Sequence, residues 1–279
     1  MFVYLVEGIK IWRLLLIMAS NIKQAFNQKV IIPYVTLGDP SIEFTIKSCK
    51  TMIDAGADII EIGLPFSDPI ADGPVIQQSH YRALSSGEDV SIKTAFDVVR
   101  QLKQYSPTTP IIFMGATNLF LQYDYELFFK QAKQAQCDGV LLPDSSFEMS
   151  LPLQPLANKY DVDIIQLISP LCSSKRKETI MNSAQGFVYL LSSTGVTGER
   201  QSFAANLKET LIQLKAINDV PIAVGFGVSQ PEHCTQLCSF ADGVIIGSHF
   251  CKFVQSYLPN QGLALEKLYE RIKVFKAAC

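Results

Sequence analysis

The chain has 279 residues, of which 48% are hydrophobic and 18% are charged, and its formal net charge is −2. This composition supplies a sizeable core and excludes an intrinsically disordered chain. Because the charge is nearly balanced, we expect neither a nucleic acid nor a membrane as partner. The length fits one large domain, such as an α/β barrel of about 250 residues.

Residues 1–18 are an apolar N-terminal extension. Glu7, Lys10 and Arg13 interrupt it, so it lacks the roughly 18 apolar residues of a membrane anchor and the basic start of a signal peptide. Two interpretations stay open: an extra N-terminal helix packed on the protein, or translation that starts at Met18. The catalytic domain is predicted to span residues 19–279 and to be cytoplasmic.

Eight short runs with the length and composition of strands follow along the chain. Most are nearly continuous in apolar residues, which is typical of parallel strands buried on both faces. The runs are Val30–Thr36, Ile59–Gly63, Pro110–Met114, Gly139–Leu142, Ile164–Leu167, Phe187–Leu191, Pro221–Val224 and Gly243–Ile246.

Segments with helical periodicity separate most of these runs. In the first segment Ile42, Ile46, Cys49 and Ile53 form an apolar stripe, and Gly56 marks its end. Eightfold alternation of strand and helix predicts a single (β/α)8 TIM barrel. A doubly wound open sheet is the alternative, but no glycine-rich dinucleotide fingerprint follows the first strand.

The cysteines and histidines carry no predicted site. Seven cysteines without a C-x-x-C pair are interpreted as reduced thiols. His233, Cys234 and Cys238 are close in sequence, but no second ligand pair accompanies them, so no metal is predicted. His80, His233 and His249 are interpreted as surface or core residues.

Glu61 interrupts the second apolar run. Strand alternation directs it away from the side of Ile60 and Ile62, so it should point into the barrel, whose active sites are built at the carboxyl ends of the strands. A buried carboxylate is costly unless it is paired or used. It is therefore either an acid–base group with a raised pKa or a structural residue satisfied by hydrogen bonds.

A proline-stiffened segment after this strand carries Asp68 and Asp72. Asp72 follows Glu61 by eleven residues, so the loop can fold back over the barrel mouth. Two carboxylates meeting there would have divergent pKa values and could act as separate acid and base. The alternative is that Asp-Pro and Asp-Gly form ordinary turns.

Later strand ends carry small and polar residues. Glycines at 225 and 227, and Gly247 with Ser248, follow strands seven and eight, where barrels commonly bind phosphate. The loop 192–199 has the composition of a mobile lid. Tyr189 and Asp144 are candidate substrate contacts, with core and turn as their structural alternatives. These features predict carboxylate acid–base chemistry on a phosphorylated small molecule.

Five segments resemble the signatures of tryptophan synthase alpha chains, and the resemblance runs from about residue 20 to the C-terminus. It implies a retro-aldol cleavage of indole-3-glycerol phosphate to indole and glyceraldehyde 3-phosphate, in tryptophan biosynthesis. The segments are Pro33–Pro40, Glu61–Pro74, Tyr189–Gly198, Gly225–Glu232 and Gly243–Ser248.

The resemblance also implies residue roles. Glu61 would be the general acid–base, Asp72 would sit at the indole N–H, and Thr197 in the lid would close onto Asp72. The indole pocket would be lined, or Glu61 positioned, by Tyr34, Tyr189 and Phe226. The phosphate would be held by Gly198, Gly227, Gly247 and Ser248.

By the same resemblance, the chain would work in an α-β-β-α heterotetramer with a tryptophan synthase beta subunit. Asp68 and Pro69 would lie near that partner. No cofactor is expected in this chain, because pyridoxal phosphate would belong to the beta subunit.

Two positions depart from the family pattern. Ala116 stands where an aromatic residue is usual, and Ser193 stands where the lid usually has an arginine. They motivate an alternative, an alpha-like protein that mainly activates the beta subunit. Another phosphate-binding barrel enzyme is the third hypothesis; an indole-glycerol-phosphate synthase would be expected to carry a strand-end lysine, which is missing here.

Overall fold

The computed structural model describes residues 21–192, 206–225 and 227–279. The predictions for the extension 1–18 and for Ser193, Thr197, Gly198 and Phe226 lie outside the described residues.

Eight parallel strands close into a barrel in chain order, and β1 pairs with β8 at the seam. The closed sheet confirms the (β/α)8 barrel and rules out the doubly wound alternative. Each predicted run matches one strand, with ends that differ by at most one residue. The strands are β1 Val30–Thr36, β2 Ile60–Gly63, β3 Ile111–Met114, β4 Gly139–Leu141, β5 Asp163–Ile168, β6 Val188–Leu191, β7 Ile222–Gly225 and β8 Gly243–Ile246.

Helices surround the barrel, and several loops carry short additional ones. In the described residues they are α1 Asn21–Ala25, α2 Ile42–Asp54, α3 Pro74–Leu84, α4 Ile92–Tyr105, α5 Thr117–Tyr123, α6 Tyr125–Ala135, α7 Phe147–Ser150, α8 Gln154–Tyr160, α9 Ser174–Ser183, α10 Asn206–Lys215, α11 Pro231–Cys238, α12 Ser248–Tyr257 and α13 Gln261–Ala277. Gly56 has a positive φ of 102° just after α2, as the stop predicted there requires.

Strand alternation divides the core into two layers. Ile60 and Ile62 belong to the layer between sheet and helices, whereas Ile59 belongs to the layer inside the barrel. Glu61 therefore points into the barrel, as predicted, because neighbouring residues of a strand face opposite sides.

Three aspartates at the amino end of the barrel form a repeated arrangement that we call the aspartate clasps. Each precedes a strand, accepts the N–H of a residue in the preceding strand, and pairs with a lysine of a surrounding helix. The clasps join Asp58 to Ile31 (2.8 Å) and Lys276 (2.7 Å), Asp138 to Ile111 (2.8 Å) and Lys103 (2.7 Å), and Asp242 to Ile222 (3.0 Å) and Lys215 (2.6 Å).

The expectation of reduced thiols is wrong for one pair. Cys238 ends α11 and Cys279 follows α13, and the two form a disulfide with a Cα–Cα distance of 5.4 Å. Packing between these two helices brings the cysteines together across 41 residues of sequence, which no local spacing reveals. The other five cysteines are free.

Within the described ranges, no group of three or more His, Cys, Asp or Glu side chains is arranged to hold a metal ion. None of the helices in the same ranges combines the length and the hydropathy that a membrane-spanning segment needs.

Candidate active site

Glu61 lies on β2, in register with Tyr34 on β1 and Ile112 on β3. Its side chain is 1% exposed, and its Oε1 atom has no hydrogen-bond partner among the described residues. Burial, followed by the nearby charge of Asp72, raises the pKa of Glu61 from 4.5 to about 8. Among the described residues the carboxyl group is thus not fully satisfied by hydrogen bonds, which favours the acid–base alternative over the structural one. A group protonated at neutral pH can act as a general acid.

Asp72 lies in the loop between β2 and α3, which folds back over the barrel mouth as predicted. Its N–H donates to Pro69 O at 3.0 Å, and its own carbonyl accepts from Gln77 Nε2 at 2.8 Å. The carboxylate is buried, and its Oδ1 atom has no hydrogen-bond partner in the described part of the chain. The ordinary-turn interpretation thus describes the backbone but leaves the buried carboxylate unexplained.

Two buried tyrosines flank these carboxylates, and a glycine makes room for each. A Cβ on Gly63 would lie 1.9 Å from Tyr34 Oη, and one on Gly225 would lie 2.2 Å from Tyr189 Oη. Burial and the charges of Glu61 and Asp72 raise the pKa of both phenols well above the ordinary value. Both tyrosines therefore stay protonated and keep a hydrogen to donate.

A cleft opens over Asp72, and Glu61 is not among the residues that line it. Its lining includes Asp72, His80, Tyr34, Asp68, Pro69, Met114, Ala116 and Asp144. Ala116 contributes only a methyl group to this lining.

Asp144 has a second contact besides the cleft. Its carboxylate accepts the N–H of Thr117 at 2.9 Å and the Thr117 hydroxyl at 2.6 Å. It thereby caps α5, whose own N-cap residue Ala116 offers no side-chain acceptor. Asp144 is thus a structural residue at the rim of the cleft, from which it can also meet a substrate.

The ends of β7 and β8 have the geometry of an anion site. Gly227 takes a positive φ of 84°, which glycine adopts without strain. Gly247 is the N-cap of α12 without a capping side chain, and Ser248 is the first residue of that helix. Both are partly accessible. The backbone N–H groups of the first turn of a helix favour a phosphate group.

His80 is the site residue that sequence reasoning missed. The ring is 4% exposed, and its Nε2 atom lies 3.2 Å from Tyr34 Oη and 3.5 Å from Asp72 Oδ2. The interpretation as a core residue describes its burial but not these contacts. Helical spacing could have indicated the burial of His80, because Ile76, His80 and Ala83 lie on the buried face of α3.

The other two histidines match their interpretation as surface or core residues. His233 accepts the N–H of Ser229 at 3.3 Å, and His249 contacts Arg271 and packs edge-on against Phe250. Both lie on α11 or α12 and do not line the cleft.

Comparison with known proteins identifies relatives over almost the whole chain. The family described as "Tryptophan synthase alpha chain" matches residues 20–279. The tryptophan synthase alpha chain of Lacticaseibacillus casei is 41% identical over 248 residues, which cover 89% of this chain and 92% of the relative. That of Halalkalibacterium halodurans is 42% identical, over 84% of this chain and 88% of the relative. The crystal structure of the alpha chain from Legionella pneumophila superposes with a TM-score of 0.82 at 31% identity, over 93% and 97% of the two chains.

Proposed function

Because this chain belongs to the tryptophan synthase alpha chain family, lyases of tryptophan biosynthesis, we propose that it cleaves indole-3-glycerol phosphate. The products would be indole and glyceraldehyde 3-phosphate. The observation that carries the proposal is the pair of buried carboxyl groups at the barrel mouth. Glu61 and Asp72 each keep an oxygen without a hydrogen-bond partner among the described residues, as groups reserved for a ligand would.

The two carboxyl groups suit different steps. Glu61, protonated at neutral pH because its pKa is about 8, donates its proton to the indole carbon that bears the glycerol chain. The indole nitrogen then carries positive charge, and the Asp72 carboxylate stabilises it by accepting the N–H.

Cleavage follows from this cationic intermediate. Glu61, now a carboxylate, takes the proton of the hydroxyl group next to the ring. The electron pair of that O–H bond forms the aldehyde, and the pair of the broken C–C bond restores the aromatic indole. Glu61 gives one proton and receives one, so it returns to its starting state without a cofactor.

The remaining residues bind and enclose the substrate in this proposal. Tyr34 and Tyr189, which the structure places beside the carboxylates, line the indole pocket together with Phe226. Gly227, Gly247 and Ser248 hold the phosphate with Gly198, and Thr197 closes the lid onto Asp72. The start of α12, which no side chain of the described residues caps, supports the phosphate assignment.

We further propose a heterotetramer with a tryptophan synthase beta subunit, which would carry the pyridoxal phosphate. Asp68 and Pro69 would contact it. They lie in the same loop as Asp72, next to Ile70, whose side chain is 68% exposed.

Two further proposals concern the cellular location of the protein and the division of its chain. The five free thiols support the cytoplasmic location, although the Cys238–Cys279 pair does not follow that pattern. The division between residues 1–18 and 19–279 is supported by a family match that begins at residue 20.

The deciding experiment measures release of glyceraldehyde 3-phosphate from indole-3-glycerol phosphate, with and without a purified beta subunit. Turnover that falls by about 10²–10⁴ in both Glu61→Gln and Asp72→Asn is expected, because positioned proton transfer contributes that much. No turnover by the wild type, with stimulation of the beta subunit retained, would instead support the activator hypothesis motivated by Ala116 and Ser193.

A further inference from the structure

We propose that His80 is a positioning residue, which holds the Asp72 carboxylate in place for the cleavage reaction. The inference rests on the proposed function and adds a residue to it. His80 lies on α3, which begins two residues after Asp72. The helix therefore carries its own support for the carboxylate that precedes it.

A backbone hydrogen bond sets the orientation and the tautomer of the ring. The N–H of Phe66 donates to His80 Nδ1 at 3.0 Å. Nδ1 must therefore offer a lone pair, and in the neutral ring the hydrogen sits on Nε2. Phe66 belongs to the loop that follows β2, the strand that carries Glu61. The position of this strand therefore helps to fix the orientation of the His80 ring.

The Nε2 atom forms its hydrogen bond with Tyr34 Oη at 3.2 Å, and Asp72 Oδ2 lies 3.5 Å from the same nitrogen, close enough for the Nε2–H group to turn to it. With a donor beside Oδ2, the other oxygen, Oδ1, would be left for the indole N–H. A neutral donor orients a carboxylate without pairing its charge as an arginine or lysine would. The charge of Asp72 thus stays available to the cationic intermediate and to Glu61.

Tyr34 ties the histidine to the barrel. Its Oη atom can accept from Thr36 Oγ1 at 3.3 Å as well as from His80, and Thr36 in turn contacts Ser79 at 2.6 Å. Ser79 and His80 are neighbours on α3, so two consecutive residues of the helix engage β1. This arrangement fixes the ring against rotation, which a positioning residue requires.

The test compares two variants that differ in the position of the donor. In His80→Gln an amide group reaches about as far as Nε2 and can still donate to Asp72. In His80→Asn the shorter amide can replace Nδ1 as the partner of Phe66 but does not reach Asp72. We expect His80→Gln to keep kcat within about threefold of the wild type, and His80→Asn to lose about tenfold in kcat with little change in KM.

A double variant separates positioning from a structural role. If His80 acts through Asp72, His80→Asn should cost no further activity in an Asp72→Asn background, because coupled residues are not additive. Thermal unfolding of all variants serves as the control for folding.

Each outcome is decisive. Equal activities of the two single variants, or an additive loss in the double variant, would overturn the positioning role while the cleavage activity stands. A wild type that does not cleave indole-3-glycerol phosphate would overturn the proposed function, and the role of His80 would fall with it.

Discussion

Three carboxylates at the amino end of the barrel and two at its carboxyl end differ in how their oxygens are satisfied. At the amino end Asp58, Asp138 and Asp242 each accept a backbone N–H and pair with a lysine. At the carboxyl end Glu61 and Asp72 each keep a buried oxygen that no described residue satisfies. The same chemical group is used for stability at one end and reserved for a ligand at the other.

The buried arrangement at the carboxyl end makes Glu61 harder to ionise. Burial and the charge of Asp72 raise the pKa of Glu61 to about 8. Ionising this group in the folded protein is unfavourable, and that is the property a general acid needs at neutral pH. The contrast predicts that substitutions at the amino end change stability, whereas substitutions at the carboxyl end change activity.

The largest stability effect is expected for Asp138→Asn. Lys103 is 2% exposed in its side chain, so removing its partner leaves a buried charge. We expect the free energy of unfolding, measured with urea, to fall by about 3 kcal/mol. Cleavage by the folded fraction should be unchanged. A variant that loses turnover but not stability would contradict the division between the two ends.

At high pH, Glu61→Gln should raise the stability of the protein, whereas Asp138→Asn should lower it. Because the folded pKa lies above the ordinary value of 4.5, the protonated form stabilises the fold, and this contribution is lost as pH rises from about 4.5 through about 8. Relative to the wild type, the variant should gain about 4 kcal/mol in unfolding free energy between pH 5 and pH 9. A constant difference across this range would show that Glu61 does not titrate as described.

The rate of cleavage should follow the same group. Since the reaction begins with protonated Glu61, whose pKa in the ligand-free protein is about 8, kcat/KM should fall by about tenfold per pH unit above that value. A pH profile of the wild type measures this. Asp242→Asn is the matched control, because a clasp at the opposite end should leave the shape of the profile unchanged.

The smallest effect is expected for Lys215→Met. Its ion pair with Asp242 is partly exposed, with side-chain exposures of 37% and 26%. Pairs of this kind contribute less than about 1 kcal/mol. Chemical denaturation should show a loss of unfolding free energy within that limit. A larger loss would mean that the contribution of a clasp to stability does not follow the exposure of its ion pair.

The strands and the position of Glu61 could be predicted because both follow from local pattern. Buried parallel strands form continuous apolar runs, and a single carboxylate within such a run stands out. Alternation along the strand then gave its direction. Asp72 could be anticipated only as a possibility, since its burial depends on how the loop folds back.

The remaining features depend on contacts between distant segments. The pairing of Cys238 with Cys279, the room that Gly63 leaves for Tyr34, and the capping of α5 by Asp144 have no signal in local spacing. The aspartate clasps had a weak signal in the sequence, because an aspartate precedes strands β2, β4 and β8. Its meaning appears only when the neighbouring strand and the lysine are in place.

The seam between β1 and β8 has a consequence for the order in which the protein is made. The ribosome releases β1 first, and that strand cannot find its second neighbour until seven more strands have been synthesised. The clasp of Asp58 waits longer still, because its lysine lies on α13. Throughout elongation β1 presents an open edge to other nascent chains, an exposure that favours mispairing. Its side chains are buried all along its length once the barrel has closed, so the period of vulnerability ends with the arrival of the last strand.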